Sequence, residues 1–524
     1  MQLLERARSS DRVSNAPEAP ASILSVPLAA AAMRVLGAAI ILLAGFRVVS
    51  DDDFARVVIA QKFAAAPHLD PTGTSWLPLP FWIVGAAMKL FGSTLEVARV
   101  LAVIFAALAG ALVTAVACKV GLTRRRALAA AALTAFMPWA MQLSVSTVPE
   151  VPAAACAAAA MIAIASSSSR LRLVAAVALL GSCLSRYDAW PVAAAFAALT
   201  VVDATRVRGR ARIELLFAAA LAIVGPLGWT LWQAVVYHDA FRYLRLVRSY
   251  RQALGGAPSI ARRILGYPLG LVEDMREVVG AAVLGIVAYF VSRRRRARGL
   301  EHGAIADCSV RWGRPLGLAA LQLAVLIVGD VRDGAPTHHP ERALLSTATV
   351  LVFASSDAIG AMLSGERVRA RRLAIGIGCA LALIGWISLR LHRSLPWFAA
   401  APRPREIAAG RALAAAVPER ARVLVDTRDF PNGSIDYGYY AVLAAFGRPL
   451  DAEIDRDQDP RKPHVDSSFE DAARLRARAT GIDARYVLAW GDAHRGVASA
   501  LGGRVVAEEE VSASAPRWSI VALP

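Results

Sequence analysis

The sequence is poor in cysteine and lacks several motifs that mark common protein classes. Only 5 of its 524 residues are cysteine. No two of them have metal-ligand spacing, so the sequence supports neither a disulfide framework nor a zinc site. It contains no GxGxxG or P-loop pattern, which leaves nucleotide binding without support. Four cysteines lie inside apolar runs, where we expect packing residues: Cys118, Cys156, Cys183 and Cys379.

The composition is that of a membrane protein. Hydrophobic residues make up 56% of the chain, and the mean hydropathy of +0.47 is well above that of a soluble domain. The formal net charge of +18 comes mainly from arginines in short clusters between apolar runs. A nucleic-acid groove needs a basic stripe with aromatic residues, so we expect no nucleic-acid partner. Such clusters are typical of cytoplasmic loops.

The positions of the basic clusters predict how the chain crosses the membrane. Apolar segments occur at 27–49, 76–92, 98–116, 127–145, 151–165, 173–184, 189–202, 215–236, 278–291, 316–328, 343–362 and 373–391. Clusters at 124–126, 206–212, 293–296 and 367–372 are all cytoplasmic if one early segment does not cross. The segment 76–92 is short and opens with two prolines, so we predict a re-entrant or interfacial helix there. This leaves about 11 transmembrane helices, with the C-terminus outside.

Hydropathy drops near residue 400, and the pattern changes there. Short β-type runs alternate with helical stretches from that point to the end. The predicted strands are 422–425, 485–490, 504–507 and 518–523, and the predicted helices are 406–417, 435–446 and 469–479. We therefore predict a cytoplasmic segment 1–26, an all-α polytopic membrane domain 27–399 and a small extracytoplasmic α/β domain 400–524.

One predicted external loop, 237–277, is rich in arginine. Between Phe241 and Leu254 the arginines recur every third residue with apolar residues between them, a pattern that predicts an amphipathic helix in the membrane interface. Two interpretations stay open. The helix rests on anionic headgroups, or guanidiniums such as those of Arg245 and Arg248 hold the phosphate of a lipid donor.

Three consecutive carboxylates, Asp51, Asp52 and Asp53, directly follow the first apolar segment. Like charges repel one another, and acidic residues contribute little to membrane orientation. A solvated turn is one interpretation. The other is a general base or a cation site at the membrane surface, where burial and mutual repulsion raise the pKa of a carboxyl group.

The segments that follow carry a family resemblance. After the acidic run come His68 to Pro71 and then Thr74 to Trp82, which contains two prolines. With the acidic run, they resemble the GT-C superfamily of polyprenyl-phosphate-sugar-dependent glycosyltransferases, especially its protein mannosyltransferase and aminoarabinose transferase branch. Members have an acidic pair after the first helix, a proline-containing segment that closes the first external loop, and a later acidic residue.

The resemblance implies roles for several residues. Asp52 is the implied base, with Asp51 and Asp53 as close competitors. Glu150 corresponds to the later acidic residue, although the family more often has Asp there, and a position at a helix N-terminus also explains it. Arg342 resembles the ligand of the donor phosphate, and Trp76 is a substrate-binding candidate.

Two external turns carry further polar residues at membrane depth, where ionisable groups are usually functional. In the first, Arg186 and Asp188 neutralise one another, or Arg186 faces the donor phosphate while Tyr187 and Trp190 contact substrate. The second contains His338 and His339 directly before Arg342. We take these histidines as substrate-binding candidates, because neighbouring histidines without further spaced ligands are weak evidence for a metal.

The predicted function is a glycosyltransferase that moves a sugar, with inversion, from a polyprenyl-phosphate donor to an extracytoplasmic hydroxyl of a lipid, glycan or protein. The resemblance implies the bacterial inner membrane. We predict no cofactor and no resident metal, with a divalent cation as an alternative. The rival functions are a membrane transporter or lipid flippase, and a structural protein that binds a partner through its external domain. The sequence shows no transporter-type repeat.

Overall fold

The computed structural model describes residues 25–46, 48–253, 259–297, 304–332, 340–363, 376, 403–427, 437–509 and 517–524. The chain is mostly helical, with one small sheet near its C-terminal end. The first half of the membrane region contains α1 Ser25–Leu43, α2 Asp52–Ala65, α3 Leu79–Phe91, α4 Leu95–Lys119, α5 Arg124–Ala135, α6 Pro138–Val145, α7 Glu150–Ala163 and α8 Ser169–Cys183. The second half contains α9 Trp190–Thr205, α10 Arg210–Tyr237, α11 Arg242–Ala253, α12 Ile260–Asp274, α13 Arg276–Ala297, α14 Ala304–Val331 and α15 Pro340–Met362.

Five of the described helices are long and apolar enough to cross a membrane, namely α1, α4, α10, residues 311–331 of α14, and α15. The number rises to 7 if two bent pairs, α5 with α6 and α12 with the start of α13, each form one span. The chain is therefore a multi-pass membrane protein. The predicted number of about 11 crossings stays a prediction, and its last segment, 373–391, lies outside the described residues apart from Gly376.

The predicted non-crossing segment 76–92 forms the short helix α3. Its 13 residues give a length of about 20 Å, less than the roughly 30 Å of a hydrocarbon core. α3 packs closely against α2 because Gly85 has no side chain. A Cβ atom at Gly85 would lie 2.7 Å from the Ala60 carbonyl oxygen and 2.6 Å from Phe63.

The predicted amphipathic helix of the external loop is α11. Leu244 and Phe241, the residue directly before the helix, are exposed, whereas Tyr243 and Arg251 are buried. Arg251 forms an ion pair with Asp330 at 2.8 Å, which ties α11 to the end of α14. α11 is thus anchored to the protein on one side and leaves apolar side chains free on the other, as an interfacial helix requires.

The C-terminal domain is an α/β unit, as predicted. Its elements are α16 Pro404–Ala416, β1 Arg422–Val425, α17 Tyr439–Phe446, β2 Ala452–Ile454, α18 Ala472–Gly481, β3 Ala484–Trp490, α19 Gly491–Ser499, β4 Arg504–Glu508 and β5 Trp518–Ala522. The sheet order is β2-β1-β3-β5-β4. β1 is parallel to β2 and β3, whereas β5 is antiparallel to β3 and β4. At the end of β1, the buried Asp426 accepts a hydrogen bond from the backbone N–H of Trp490 and contacts His494 Nδ1 at 2.6 Å.

The C-terminal domain shares a hydrophobic core with α2. Phe54 and Val57 of α2 belong to the same buried cluster as Leu413 of α16 and Phe446 of α17. Gln61, also buried in α2, donates one hydrogen bond to the Ala444 carbonyl of α17 and another to the carbonyl of Ser93. The helix that begins at the acidic run is therefore packed against the C-terminal domain.

Candidate active site

The three carboxylates of the acidic run occupy three different environments. Asp51 is held by Arg403, whose Nε and Nη2 atoms donate to its two oxygens at 3.0 and 2.8 Å. Arg403 directly precedes α16 and adopts a left-handed backbone conformation with φ of 44°. This bidentate pair connects the acidic run to the C-terminal domain.

Asp53 is buried and fully hydrogen-bonded. One of its oxygens accepts from the backbone N–H groups of Val49 and Ser50, and the other accepts from the N–H and the hydroxyl of Thr147. Burial raises the pKa of the Asp53 carboxyl, although the backbone donors act in the opposite direction. With four donors around its two oxygens, Asp53 joins the start of α2 to the loop before α7.

Asp52 is the open member of the run. Its side chain is 47% exposed, compared with 23% for Asp51. Arg342 Nη1 lies 3.5 Å from Asp52 Oδ2, and Arg342 Nη2 lies 3.4 Å from the Ser50 hydroxyl. The structure therefore brings together two residues that are 290 positions apart in the sequence, one as a carboxylate and the other as a cation.

Glu150 approaches the same guanidinium nitrogen of Arg342 as Asp52 does. Its Oε1 atom is 3.9 Å from Arg342 Nη1 and 2.8 Å from Arg186 Nη1. Arg186 also donates through Nε to Asp188 at 3.0 Å, so it contacts both carboxylates. Glu150 is buried, and its Oε2 atom has no hydrogen-bond partner among the described residues. The structure is compatible with both interpretations of Arg186, neutralisation by Asp188 and contact with the donor phosphate. The Nε atom of Arg186 is paired with Asp188, while its Nη1 atom contacts Glu150.

A third arginine, Arg56, was missed by the sequence analysis. It lies one turn into α2 after Asp52, with its guanidinium 4.3 Å from the centre of the Trp76 ring and 5.7 Å from that of Phe81. Asp52 and Glu150 are both within its electrostatic reach. The spacing of four residues from Asp52 was the available signal, because residues i and i+4 share one face of a helix.

The aromatic residues of the Arg186 turn form a stack with α11. The Tyr187 and Tyr243 rings are 4.4 Å apart and nearly parallel, and Trp190 meets both rings edge-on at 5.0 and 5.3 Å. Trp190 Nε1 donates to the Cys183 carbonyl. The substrate-binding roles of Tyr187, Trp190 and Trp76 stay predictions.

The other predicted phosphate ligands lie on exposed parts of α11. Arg245 pairs with Asp239 at 2.7 Å, and Arg248 donates to the Arg332 carbonyl. His338 and His339 lie outside the described residues. Within the part of the chain that the structure describes, no group of three or more His, Cys, Asp or Glu residues is arranged to hold a metal ion.

Taken together, the site is a paired set of charges at one end of several helices. Asp52 lies at the start of α2, Glu150 at the start of α7 and Arg342 near the start of α15. Such a set can take a proton on its open carboxylate and hold an anion on its arginines.

Residues 72–232 match the family described as dolichyl-phosphate-mannose-protein mannosyltransferase. The predicted resemblance is confirmed over this stretch. It contains Glu150 and Arg186, whereas the acidic run and Arg342 lie outside it. No curated protein matches the chain in sequence.

Two solved structures are similar to the chain over most of its length. One is ArnT from Cupriavidus metallidurans bound to undecaprenyl phosphate, with 13% identity, a TM-score of 0.49, and coverage of 93% of this chain and 97% of that one. The other is the same protein in the apo state, with 14% identity, a TM-score of 0.39 and the same coverage.

Proposed function

We propose that this protein is a membrane glycosyltransferase that moves a sugar from a polyprenyl-phosphate donor to an extracytoplasmic acceptor hydroxyl, with inversion. The observation that carries the proposal is the pairing of Asp52 with Arg342. An open carboxylate stands beside a buried guanidinium, which in turn approaches a second carboxylate, Glu150. The match of residues 72–232 to a mannosyltransferase family supports the same class of reaction.

Asp52 is the proposed base. A base must reach the acceptor, and Asp52 is the most exposed of the three carboxylates whereas Asp51 and Asp53 are engaged by other groups. It takes the proton of the acceptor hydroxyl as that oxygen bonds to the anomeric carbon of the donor. The bond from the anomeric carbon to the phosphate oxygen breaks at the same time, and the polyprenyl phosphate leaves.

Arg342 and Arg186 are the proposed phosphate ligands. Both guanidiniums lie within 4 Å of the anionic Glu150 Oε1 atom. A phosphate oxygen of the donor would bind the same two guanidiniums in competition with Glu150. Stabilising the departing phosphate is the main electrostatic contribution expected from such a site. Arg56, held over Trp76, adds positive charge from α2, the helix that begins at Asp52.

The positions of these groups favour a one-sided site over a transport path. Asp52, Glu150 and Arg342 all lie at helix starts on the side of the acidic run. By the predicted orientation that side is extracytoplasmic and holds the C-terminal domain, which the shared core with α2 supports. We place the protein in the bacterial inner membrane, with its site facing away from the cytoplasm.

The test is the turnover of radiolabelled polyprenyl phosphosugars by the purified full-length protein in lipid nanodiscs. Asp52→Asn keeps the size of the side chain and removes the basic oxygen, so we expect transfer to be abolished while expression and insertion are unchanged. Wild-type turnover in the single Asn variants of Asp51, Asp52 and Asp53 would remove this loop from the catalytic site.

A further inference from the structure

The C-terminal domain turns one particular edge of its sheet toward the candidate active site. β1, β2 and β3 are parallel, so their carboxyl ends lie at the same edge. The helix after β1 is α17, which begins at Tyr439, and the loop after β2 runs from Asp455 to Ser467. Open α/β sheets bind their ligands outside this edge.

Tyrosines from both halves of the protein meet there. Tyr437 and Tyr440 belong to the external domain, with ring centres 6.2 Å apart. Tyr250 belongs to α11, and its hydroxyl lies 3.4 Å from the Tyr437 hydroxyl. All three side chains are only partly buried. We call Tyr250, Tyr437 and Tyr440 the tyrosine platform.

The tyrosine platform packs against the start of the helix that carries the proposed base. Tyr437 and Tyr440 contact the buried cluster that contains Phe54, which follows Asp52 by two residues in α2. α17 packs on α2, which begins at Asp52. A molecule held on the platform therefore has its reactive group near the exposed carboxylate.

The charges around the platform neutralise one another. Asp459 accepts a hydrogen bond from Arg461 Nε at 2.8 Å, and Asp457 pairs with Lys462. Arg461 also stands 5.9 Å from the centre of the Tyr250 ring. A surface with paired charges gives no net attraction to a strongly charged ligand. Aromatic faces flanked by carboxylates and a guanidinium suit a ligand with apolar ring faces and many hydroxyls.

We propose that the tyrosine platform binds the acceptor and that this acceptor is a neutral carbohydrate. The proposal rests on the proposed function, which it deepens by naming the acceptor class. A peptide acceptor would be recognised more readily by adding a strand at a sheet edge, whereas the platform presents side chains at the carboxyl ends of strands. A sugar ring stacked on Tyr437 or Tyr440 would lie against the α2 side of the domain, the helix that begins at Asp52.

The first test uses the full-length protein in nanodiscs, a labelled polyprenyl phosphosugar and neutral oligosaccharides of four to six units as acceptor probes. Tyr437→Ala should raise the KM for the oligosaccharide about three- to tenfold and leave the KM for the donor unchanged, because one aromatic contact is lost. Tyr486→Ala, in β3 of the same domain, is the matched control and should leave both KM values unchanged. Equal shifts in the two KM values, or no shift for Tyr437→Ala, would overturn the proposal.

Two additions keep the result interpretable. Tyr250→Ala removes the tyrosine that α11 contributes to the platform and should also raise only the KM for the oligosaccharide. Because Tyr250 lies outside the C-terminal domain, this result would show that misfolding of that domain is not the cause. Saturation-transfer NMR measures oligosaccharide binding without donor. If the wild-type protein binds the oligosaccharide, Tyr437→Ala abolishes this binding and no turnover is seen, the platform is upheld and the proposed transferase is refuted. Wild-type transfer to a peptide or a sugar-free lipid, with no oligosaccharide binding, would refute the platform alone.

Discussion

Three adjacent carboxylates differ in their availability because different parts of the chain engage them. Arg403 of the C-terminal domain holds Asp51, and Thr147 with two backbone N–H groups holds Asp53. Asp52 is left with one long contact, to Arg342. The sequence alone did not determine which of the three carboxylates is the base. In our proposal it is Asp52, because residues distant in sequence engage the other two.

Arg342 provides the sharpest prediction at the scale of a residue. A bidentate contact between a guanidinium and a phosphate contributes on the order of 1.5–3 kcal/mol. Lys keeps the charge but loses the fork of donors. We expect Arg342→Lys to lower the kcat/KM for the donor and Arg342→Ala to lower it further, to roughly 10- to 100-fold below the wild type.

The control for Arg342 is Arg485→Ala, which removes an exposed arginine of the external domain and should leave donor turnover unchanged. The measurement is donor-dependent turnover at varied donor concentration. If Arg342→Lys is as active as the wild type, Arg342 serves only to anchor α15 and does not bind phosphate.

The residues of the site were only partly predictable from the sequence. Asp52, Glu150, Arg186 and Arg342 stood out because charges at membrane depth are rare. Arg56 did not, because one arginine in an amphipathic helix looks like a solvated residue. Its position over Trp76 depends on α3 folding back on α2, which the local sequence does not encode.

At the scale of an element, the packing of α3 on α2 depends on one glycine. A larger residue at Gly85 meets the Ala60 carbonyl and Phe63, and neither can give way easily in a helix pair. We expect Gly85→Val to lower the free energy of unfolding by about 1–3 kcal/mol, read as a lower apparent Tm in detergent. Gly228→Ala in α10, where nothing lies within 4 Å, is the control. An unchanged Tm for Gly85→Val would contradict the close approach of α2 and α3.

The contact between β1 and α19 predicts a pH dependence. The hydrogen bond that His494 donates to the Asp426 carboxylate raises the pKa of His494 above its ordinary value of 6.5. Stability from this pair is fully present below pH 6.5 and is lost as the pH rises through the higher pKa of the folded protein.

We expect the wild-type protein to lose thermal stability as the pH rises above 6.5. This loss should be smaller in His494→Gln, by on the order of 1 kcal/mol. His68→Gln removes an exposed histidine and should keep the wild-type profile. A wild-type profile for His494→Gln would show that the pair does not stabilise the domain.

The predicted elements of the C-terminal domain agree with the structure, but the sequence analysis missed the strand β2 and the helix α19. The strands β1, β3, β4 and β5 carry runs of apolar residues that mark them in the sequence. β2 has three residues, Ala452–Ile454, with a glutamate in the middle. It is a strand because it pairs with β1, and a run of three residues is too short for a detectable period.

At the scale of the whole molecule, the testable property is the side of the membrane on which the C-terminal domain lies. A reporter that is active only in the cytoplasm should give no signal when fused to Pro524. The same reporter inserted at Gly209, between α9 and α10, should give a strong signal because the basic cluster 206–212 is predicted to be cytoplasmic. A strong signal at Pro524 would overturn the predicted orientation of the external domain.

The attachment of the external domain through α2 has a consequence for how the acceptor could change during evolution. Gln61 and the core around Phe54 fix the distance between the proposed base and the sheet. The loop after β2, residues 455–467, carries Asp457 and Asp459 and contributes no residue to that core. Changes in this loop could therefore alter the acceptor while the reaction centre stays the same.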